Sequence, residues 1–294
     1  MTALASPASP DTHPHTRGAG HLVAPIATLV LAVAALWALW RAALHTSLGQ
    51  RVDTAAMHGA DVGHPHVVEV LDRTLNGTTL VSLVLVCLFA AAFGILRRRA
   101  DLAVGAALLV LGANATTQLL KTGLARPDLD GTGMPNSFPS GHTAAAASVA
   151  FAVILVLPQA LRGTIALVGF GYVTVIAVAT VWAEWHRPSD TIGGLLVTLA
   201  WGSAAVFLVR LWRLRGPGVT QRPSRLATVP LFLGGLVAAI AGAFGLAAVA
   251  MLADIPGRFA FLSGSAAVAA VTAGAFLVWV WFTASPGAVK GGTK

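Results

Sequence analysis

Apolar residues run through this chain in long, nearly uncharged blocks separated by short polar stretches. Eight such blocks can be drawn: 22–44, 78–96, 102–120, 143–161, 163–184, 191–212, 227–253 and 257–283. Each is continuous rather than alternating, so the pattern predicts helices and not strands. Blocks of roughly 18 residues or more are long enough to cross about 30 Å of hydrocarbon as a helix. The expected fold class is therefore an all-α integral membrane protein of about eight spans. The first block is too long for a signal-peptide core and is followed by no convincing cleavage site, so it is expected to remain as an anchor.

Composition agrees with that reading. Hydrophobic residues make up 56% of the 294 and charged residues only 10%, against about 25% charged in soluble domains. The net charge of +8 would suit a polyanion partner, but its distribution argues against nucleic acid. With eight spans both termini share one side. That side collects Arg17, Arg97–Arg99, Arg162, Arg210, Arg213, Arg215, Arg222, Arg225, Lys290 and Lys294, with only Asp11 and Asp101 as acids. Basic residues accumulate on the cytoplasmic side, so both termini are expected there, in a plasma membrane protein. Trp37, Trp40, Trp182, Trp185, Trp212, Trp279 and Trp281 fall near block ends, as an interfacial belt requires. Cys87 is the single cysteine. It excludes an internal disulfide and reads as a small buried apolar residue.

The outward polar stretches then become readable. The first, 45–77, holds His58, Asp61, His64 and His66; a solvated loop is the expectation, with no third strong metal ligand fixed by spacing. Val67, Val68, Leu71 and Leu75 share one helical face after it, as in a short helix lying on the membrane or against the bundle. The fourth, 254–258, reads as a tight turn. The second, "KTGLARPDLDGTGMPNSFPSGHT", and the third, "AEWHRPSD", carry the candidate chemistry.

Lys121 and Arg126 are cationic donors, and a guanidinium matches phosphate oxygens bidentately. Pro139 to His142 then opens a helix. Ser140 can cap it, Gly141 lets the backbone approach a ligand, and the helix N-terminus attracts anions. His142 lies in that first turn. In the third stretch Ser189 can cap the next helix. Asp190 follows His186 by four residues, a spacing at which the carboxylate can hold one ring nitrogen and leave the other as nucleophile or base. Two histidines, a carboxylate, two or three cations and a helix N-terminus on one face constitute the parts of a phosphoryl-transfer site. No nucleotide-binding glycine loop or paired carboxylate cluster accompanies them, so the expected chemistry uses no metal or other cofactor and passes through a phosphohistidine. Glu184 reads as a loop carboxylate that can also tune His186. Asn114 and Gln118 read as hydrogen-bonding partners of neighbouring helices.

At these residues the chain resembles the type 2 phosphatidic acid phosphatases, membrane relatives of the vanadium haloperoxidases. That family carries Lys-x6-Arg-Pro, Pro-Ser-Gly-His and Ser-Arg-x5-His-x3-Asp in order. Pro139-Ser140-Gly141-His142 is complete, and His186-x3-Asp190 is retained. Lys121 and Arg126-Pro127 are four residues apart instead of six, and Ala179-Thr180 stand where the family keeps Ser-Arg. The resemblance implies that His186 attacks phosphorus, Asp190 orients it and His142 protonates the leaving oxygen. Lys121, Arg126, Ser140 and the Gly141 backbone would hold phosphoryl oxygens. Arg187, beside the nucleophile, can replace the missing arginine's charge.

The domain plan that follows is a disordered cytoplasmic N-terminus over 1–21 and a six-span core over 22–212, whose motif-bearing part is 78–212. A basic cytoplasmic loop (213–226), two additional spans within 227–283 and a cytoplasmic tail over 284–294 complete it. "GGLVAAIAGAFG" in the seventh block is spaced for close helix packing, with a dimer as the other use. The expected function is hydrolysis of a lipid phosphomonoester or diphosphate (phosphatidate, phosphatidylglycerophosphate or a polyprenyl diphosphate) on the extracytoplasmic face. The expected partners are the bilayer and its lipid phosphates. The alternatives are phosphotransfer from the same histidine to an acceptor hydroxyl, and a non-catalytic lipid-phosphate transporter or scaffold.

Overall fold

The computed structural model describes residues 20–60, 69, 85, 88–89, 92–94, 96, 99–213, 224–252 and 254–284. The expected span 78–96 with Cys87, the expected helix after the first polar stretch, and Asp61, His64 and His66 lie outside the described residues, apart from isolated positions.

Helices account for the architecture: α1 (Gly20–Leu39), α2 (Ser47–His58), α3 (Ala100–Gly123), α4 (Gly141–Val156), α5 (Gln159–Trp182), α6 (Pro188–Trp212), α7 (Arg225–Met251) and α8 (Gly257–Thr283). No strand occurs among the described residues. Six helices are long and apolar enough to cross a membrane: α1 with its continuation to Leu44, and α3, α5, α6, α7 and α8. Six such helices and the shorter α4 stand at seven of the eight expected spans; the remaining one, 78–96, lies outside the described residues apart from isolated positions.

α4 corrects the span expected over 143–161. The residue before a proline is pushed out of the helical region, and the chain breaks at Leu157-Pro158, so α4 ends at Val156 and α5 begins at Gln159. At 16 residues α4 rises only about 24 Å, but it is the innermost helix. Ala144, Ala147, Phe151, Ala152 and Ile154 have no exposed surface, and α3, α5 and α6 pack around it.

The other helices sort by exposure. In the apolar stretch of α6, 61% of residues are buried, against 11% in α1 and α7, which makes α6 the axis of the bundle. α1 and α7 turn Leu31, Trp37, Val237 and Phe244 outward, the surface a hydrocarbon solvent accepts without cost. α7 packs mainly on α8, where Gly242 faces the Ala267 backbone and Gly245 faces Ser263. The small residues of "GGLVAAIAGAFG" therefore serve packing within the chain.

One member of the expected tryptophan belt is misplaced. Trp279 is completely buried. Its ring stacks on Phe151 at 4.6 Å and 8°, and its Nε1 donates to the Phe151 carbonyl at 3.0 Å. It belongs to the core, while Trp37, Trp212 and Trp281 stay more than half exposed.

α2 was not expected from the hydrophobic pattern. Thr46 starts it, its hydroxyl accepting from the Gly49 N–H at 2.9 Å, and it lies at one end of the bundle against α8. A Cβ on Gly59 would stand 1.9 Å from the Gly257 carbonyl oxygen, so only glycine permits this approach. The face α2 buries is largely polar: Gln50, Asp53 and Thr54, with Ala56 and Met57.

Candidate active site

Four segments meet at the end of the bundle where α2 lies: the loop 124–140 entering α4, the turn 183–187 entering α6, the last turn of α3, and α2 itself. The α4 entrance is built as expected. Ser140 is the N-cap, its Oγ accepting from the Thr143 N–H at 3.3 Å, and Gly141 is the first helical residue. The Ser140 N–H donates to the Asp190 carbonyl at 2.8 Å, which fastens the two motif segments together. The fit is tight. A Cβ on Gly194, nearly two turns into α6, would lie 2.6 Å from the Ser140 carbonyl oxygen.

The α6 entrance departs from expectation at one residue. Arg187, not Ser189, occupies the N-cap position, with Pro188 first in the helix. Pro is favoured there because its missing N–H would be unpaired in any case. Ser189 is turned the other way. Its Oγ donates to Asp53 Oδ2 at 2.5 Å and its N–H to Asp53 Oδ1 at 3.0 Å. The cap comes instead from Asp190, whose Oδ2 accepts from the Arg187 N–H at 2.9 Å.

That same oxygen accepts from Ser137 Oγ at 2.5 Å and stands 3.5 Å from His186 Nδ1. Both residues are buried, Asp190 completely. The separation is long for a hydrogen bond, as is common before substrate binds, but the pairing fixes which nitrogen faces the carboxylate. His142 lies across the gap, its ring centroid 5.8 Å from that of His186 and edge-on to it. Lys121 in the last turn of α3 acts electrostatically on His142 together with His186. Asn136 holds the end of α3 in place, its Nδ2 donating to the carbonyls of Lys121 at 3.3 Å and Leu124 at 2.9 Å.

Two guanidinium groups complete the site. Arg187 is 1% exposed. Its Nε donates to Thr54 Oγ1 at 3.2 Å, while its Nη2 and both Nη atoms of Arg126 are buried with no hydrogen-bond partner among the described residues. Unpaired buried donors are uncommon and call for an explanation. Burial draws the Arg126 guanidinium below its usual pKa, and the like charge of Arg187 adds to it, opposed by Asp53, Asp190 and Asp130. Two guanidinium groups close enough to repel each other thus keep N–H groups unpaired among the described residues.

Thr180 stands where the resemblance would place an arginine. It is fully buried, its hydroxyl bonds back to the Ala177 carbonyl at 2.9 Å, and its own carbonyl accepts from the N–H groups of Trp185 and His186 at 3.0 and 3.1 Å. The position has become part of the helix end and turn. Glu184, with φ 59°, is half exposed and pairs with His58 of α2, Oε2 to Nδ1 3.3 Å. Asn114 donates to Ser148 Oγ at 3.1 Å, the interhelical bond expected of it.

Every candidate residue from the sequence thus lies at one end of the bundle, and His142, His186, Asp190, Arg126, Arg187 and Lys121 converge. Ser137, Asp53, Thr54 and Gln50 were not anticipated. Ser137 lay two residues before a recognised Pro-Ser-Gly-His block, which was the available signal for it. Asp53 had none.

The fold and site define a class: a membrane-embedded helical bundle with a buried histidine–carboxylate pair facing a second histidine and unpaired guanidinium groups. Residues 102–215 match the PAP2 superfamily. No curated protein and no solved structure matches significantly.

Proposed function

We propose that the protein is an integral membrane lipid phosphatase that hydrolyses a lipid phosphomonoester or diphosphate through a phosphohistidine. The observation that carries this reading is the set of buried, unpaired guanidinium nitrogens of Arg126 and Arg187 beside two histidine rings 5.8 Å apart. Phosphoryl transfer places little covalent demand on a protein; positioning and charge stabilisation are most of the task.

With Nδ1 of His186 turned to Asp190, Nε2 is the free nucleophile. The N–P bond forms as the bond from phosphorus to the lipid oxygen breaks, and His142 supplies the proton that oxygen needs. Water then attacks phosphorus, His142 takes its proton, the N–P bond breaks and phosphate leaves. Arg126, Arg187, Lys121 and the first turn of α4 hold the phosphoryl oxygens. Below the site, Leu195, Leu199, Val271 and Val278 line an apolar recess of about 300 Å³ between α6 and α8, which supports a substrate with a hydrocarbon tail. The charge asymmetry of the loops supports cytoplasmic termini and an extracytoplasmic site in the plasma membrane.

Purified protein in detergent, assayed with phosphatidate, phosphatidylglycerophosphate and polyprenyl diphosphate, tests the reading. His186→Ala and His142→Ala are expected to abolish phosphate release while the protein remains folded. Full activity in both variants would refute the mechanism.

A further inference from the structure

α2 lies outside the PAP2 match, yet it touches both loops that deliver the phosphate-binding groups. Gln50 grips the segment after Arg126: its Nε2 donates to the Pro127 carbonyl at 2.6 Å, and its Oε1 accepts from the Leu129 N–H at 3.0 Å. Thr54 accepts from Arg187 and donates to Asp130 Oδ2 at 2.7 Å, which links the two loops through one hydroxyl. Asp53 takes both donors of Ser189, two residues beyond Arg187 and three beyond His186.

The last contact is the unusual one. Asp53 is 7% exposed, and a second carboxylate, Asp190, sits at the same helix N-terminus. Two buried carboxylates side by side are unfavourable unless something holds them. The free N–H groups and dipole of α6 supply part of the compensation, and Arg126 another part. A helix cap alone does not require this arrangement, because the Ser189 hydroxyl is of a type that caps from within its own chain segment. Here it is spent on a residue 136 positions away, and that ties α6 to α2.

We propose that Asp53 is a positioning residue for this reaction: delivered by α2, its carboxylate anchors the first turn of α6 at Ser189 and so sets where His186 and Arg187 meet the phosphoryl group. The inference rests on the phosphatase reading above. The carboxylate form is the anchoring form, since it accepts from both the N–H and the hydroxyl of Ser189. Burial, and after it the negative charge of Asp190, push Asp53 up to about 7. The charged groups facing it are Asp190 from α6 and Arg126 from the second loop; α8 meets α2 with Gly257 and Gly264. Anchoring is therefore lost as pH falls through about 7.

The test compares the full-length protein with Asp53→Asn, which keeps the shape and removes the charge, and with Ser189→Ala. Misplacement of reacting groups by a fraction of an ångström to 1 Å costs up to roughly a hundredfold in rate. Asp53→Asn is expected to lower kcat about tenfold or more with little change in KM. It should also erase the acid limb of the kcat profile near pH 7, and leave the Tm at pH 8 no lower than that of the wild type. Ser189→Ala should lower kcat similarly, and the double variant should fall no further. Wild-type kcat with an unchanged acid limb in Asp53→Asn would overturn the proposal. So would a kcat loss matched by a fall in Tm, the signature of a merely structural contact. Orthovanadate binding separates this inference from the one beneath it. A wild type that binds vanadate without turning over any lipid phosphate refutes the phosphatase reading alone; Asp53 is then supported by tenfold weaker vanadate binding in Asp53→Asn and overturned by equal binding. A wild type that does neither overturns both.

Discussion

Arg187 offers the sharpest test of how the site works, because two effects of removing it have opposite signs. Its guanidinium is buried and bonded to Thr54 through Nε, with Nη2 unpaired. In the resting protein a buried charge with an unpaired donor is a burden, because burying an ion without its full set of partners is costly. On the proposed mechanism the same group faces the equatorial phosphoryl oxygens in the transition state. A unit charge about 4 Å away at an effective dielectric near 20 contributes about 4 kcal/mol. The loss of one preorganised donor measured in other enzymes is roughly 3–4 kcal/mol, or about 10²–10³ in rate, so two independent routes agree. Arg187→Met is thus expected to lower kcat/KM by roughly 10²–10³ while leaving the Tm unchanged or slightly raised. Arg187→Lys should recover only part of the loss, because an ammonium keeps the charge without the planar fork. Phosphate release from a lipid substrate and thermal unfolding in the same detergent are the two measurements. Arg187→Met retaining activity within about threefold would show that Arg187 does not replace the cation missing at Thr180, and the ion-pairing logic built on it would fail.

Other predictions concern chemistry and packing. Orthovanadate, a five-coordinate phosphate mimic, should inhibit turnover and EDTA should not; activity removed by EDTA and restored by Mg²⁺ would point to metal chemistry instead. Gly194→Ala places a carbon where the Ser140 carbonyl now lies, 2.6 Å away, so it should separate the two motif segments and reduce kcat more than tenfold with a lowered Tm; a silent substitution would mean that this contact does not hold the site together. The buried carboxylate of Asp53 also has a stability signature. Its pKa is about 7 when folded against 3.8 for the free group, so folding is increasingly opposed as pH rises from about 4 to 7 and the penalty levels off above. The Tm advantage of Asp53→Asn should therefore grow between pH 5 and 7.5, and a constant difference across that range would contradict the assignment.

The motif residues were legible because their information is local. Pro139 to His142 and His186 to Asp190 each specify a helix entrance, and the apolar blocks around them place both entrances at one end of the bundle. What escaped was held in tertiary contacts. Ser189 has the side chain of a cap, and only the position of Asp53 shows that its hydroxyl points elsewhere. Trp279 sits near a helix end where a belt residue would be, and only the face it shares with Phe151 makes it core. α2 was missed because hydrophobic periodicity detects helices that bury apolar faces, whereas "SLGQRVDTAAMH" buries Gln50, Asp53 and Thr54. The break at Leu157-Pro158 was visible in the residues but masked by apolar runs on both sides.

The Trp279 contact has a consequence for where this molecule can be cut. The indole reaches from α8 across to the backbone of α4, and a Cβ on Gly202 would stand 2.8 Å from its ring, so α8 is seated in a notch carved out of α6. At the other end of the same helix, Gly264 closes on Pro188, the first residue of α6, with 2.8 Å from a Cβ placed there to Pro188 Cγ. The segment that matches the PAP2 superfamily ends at residue 215, whereas α8, packed against it, runs to Thr283. A minimal version trimmed to that segment would leave an indole-shaped void between α4 and α6. Shortened variants, fusions and domain grafts should therefore be joined beyond α8.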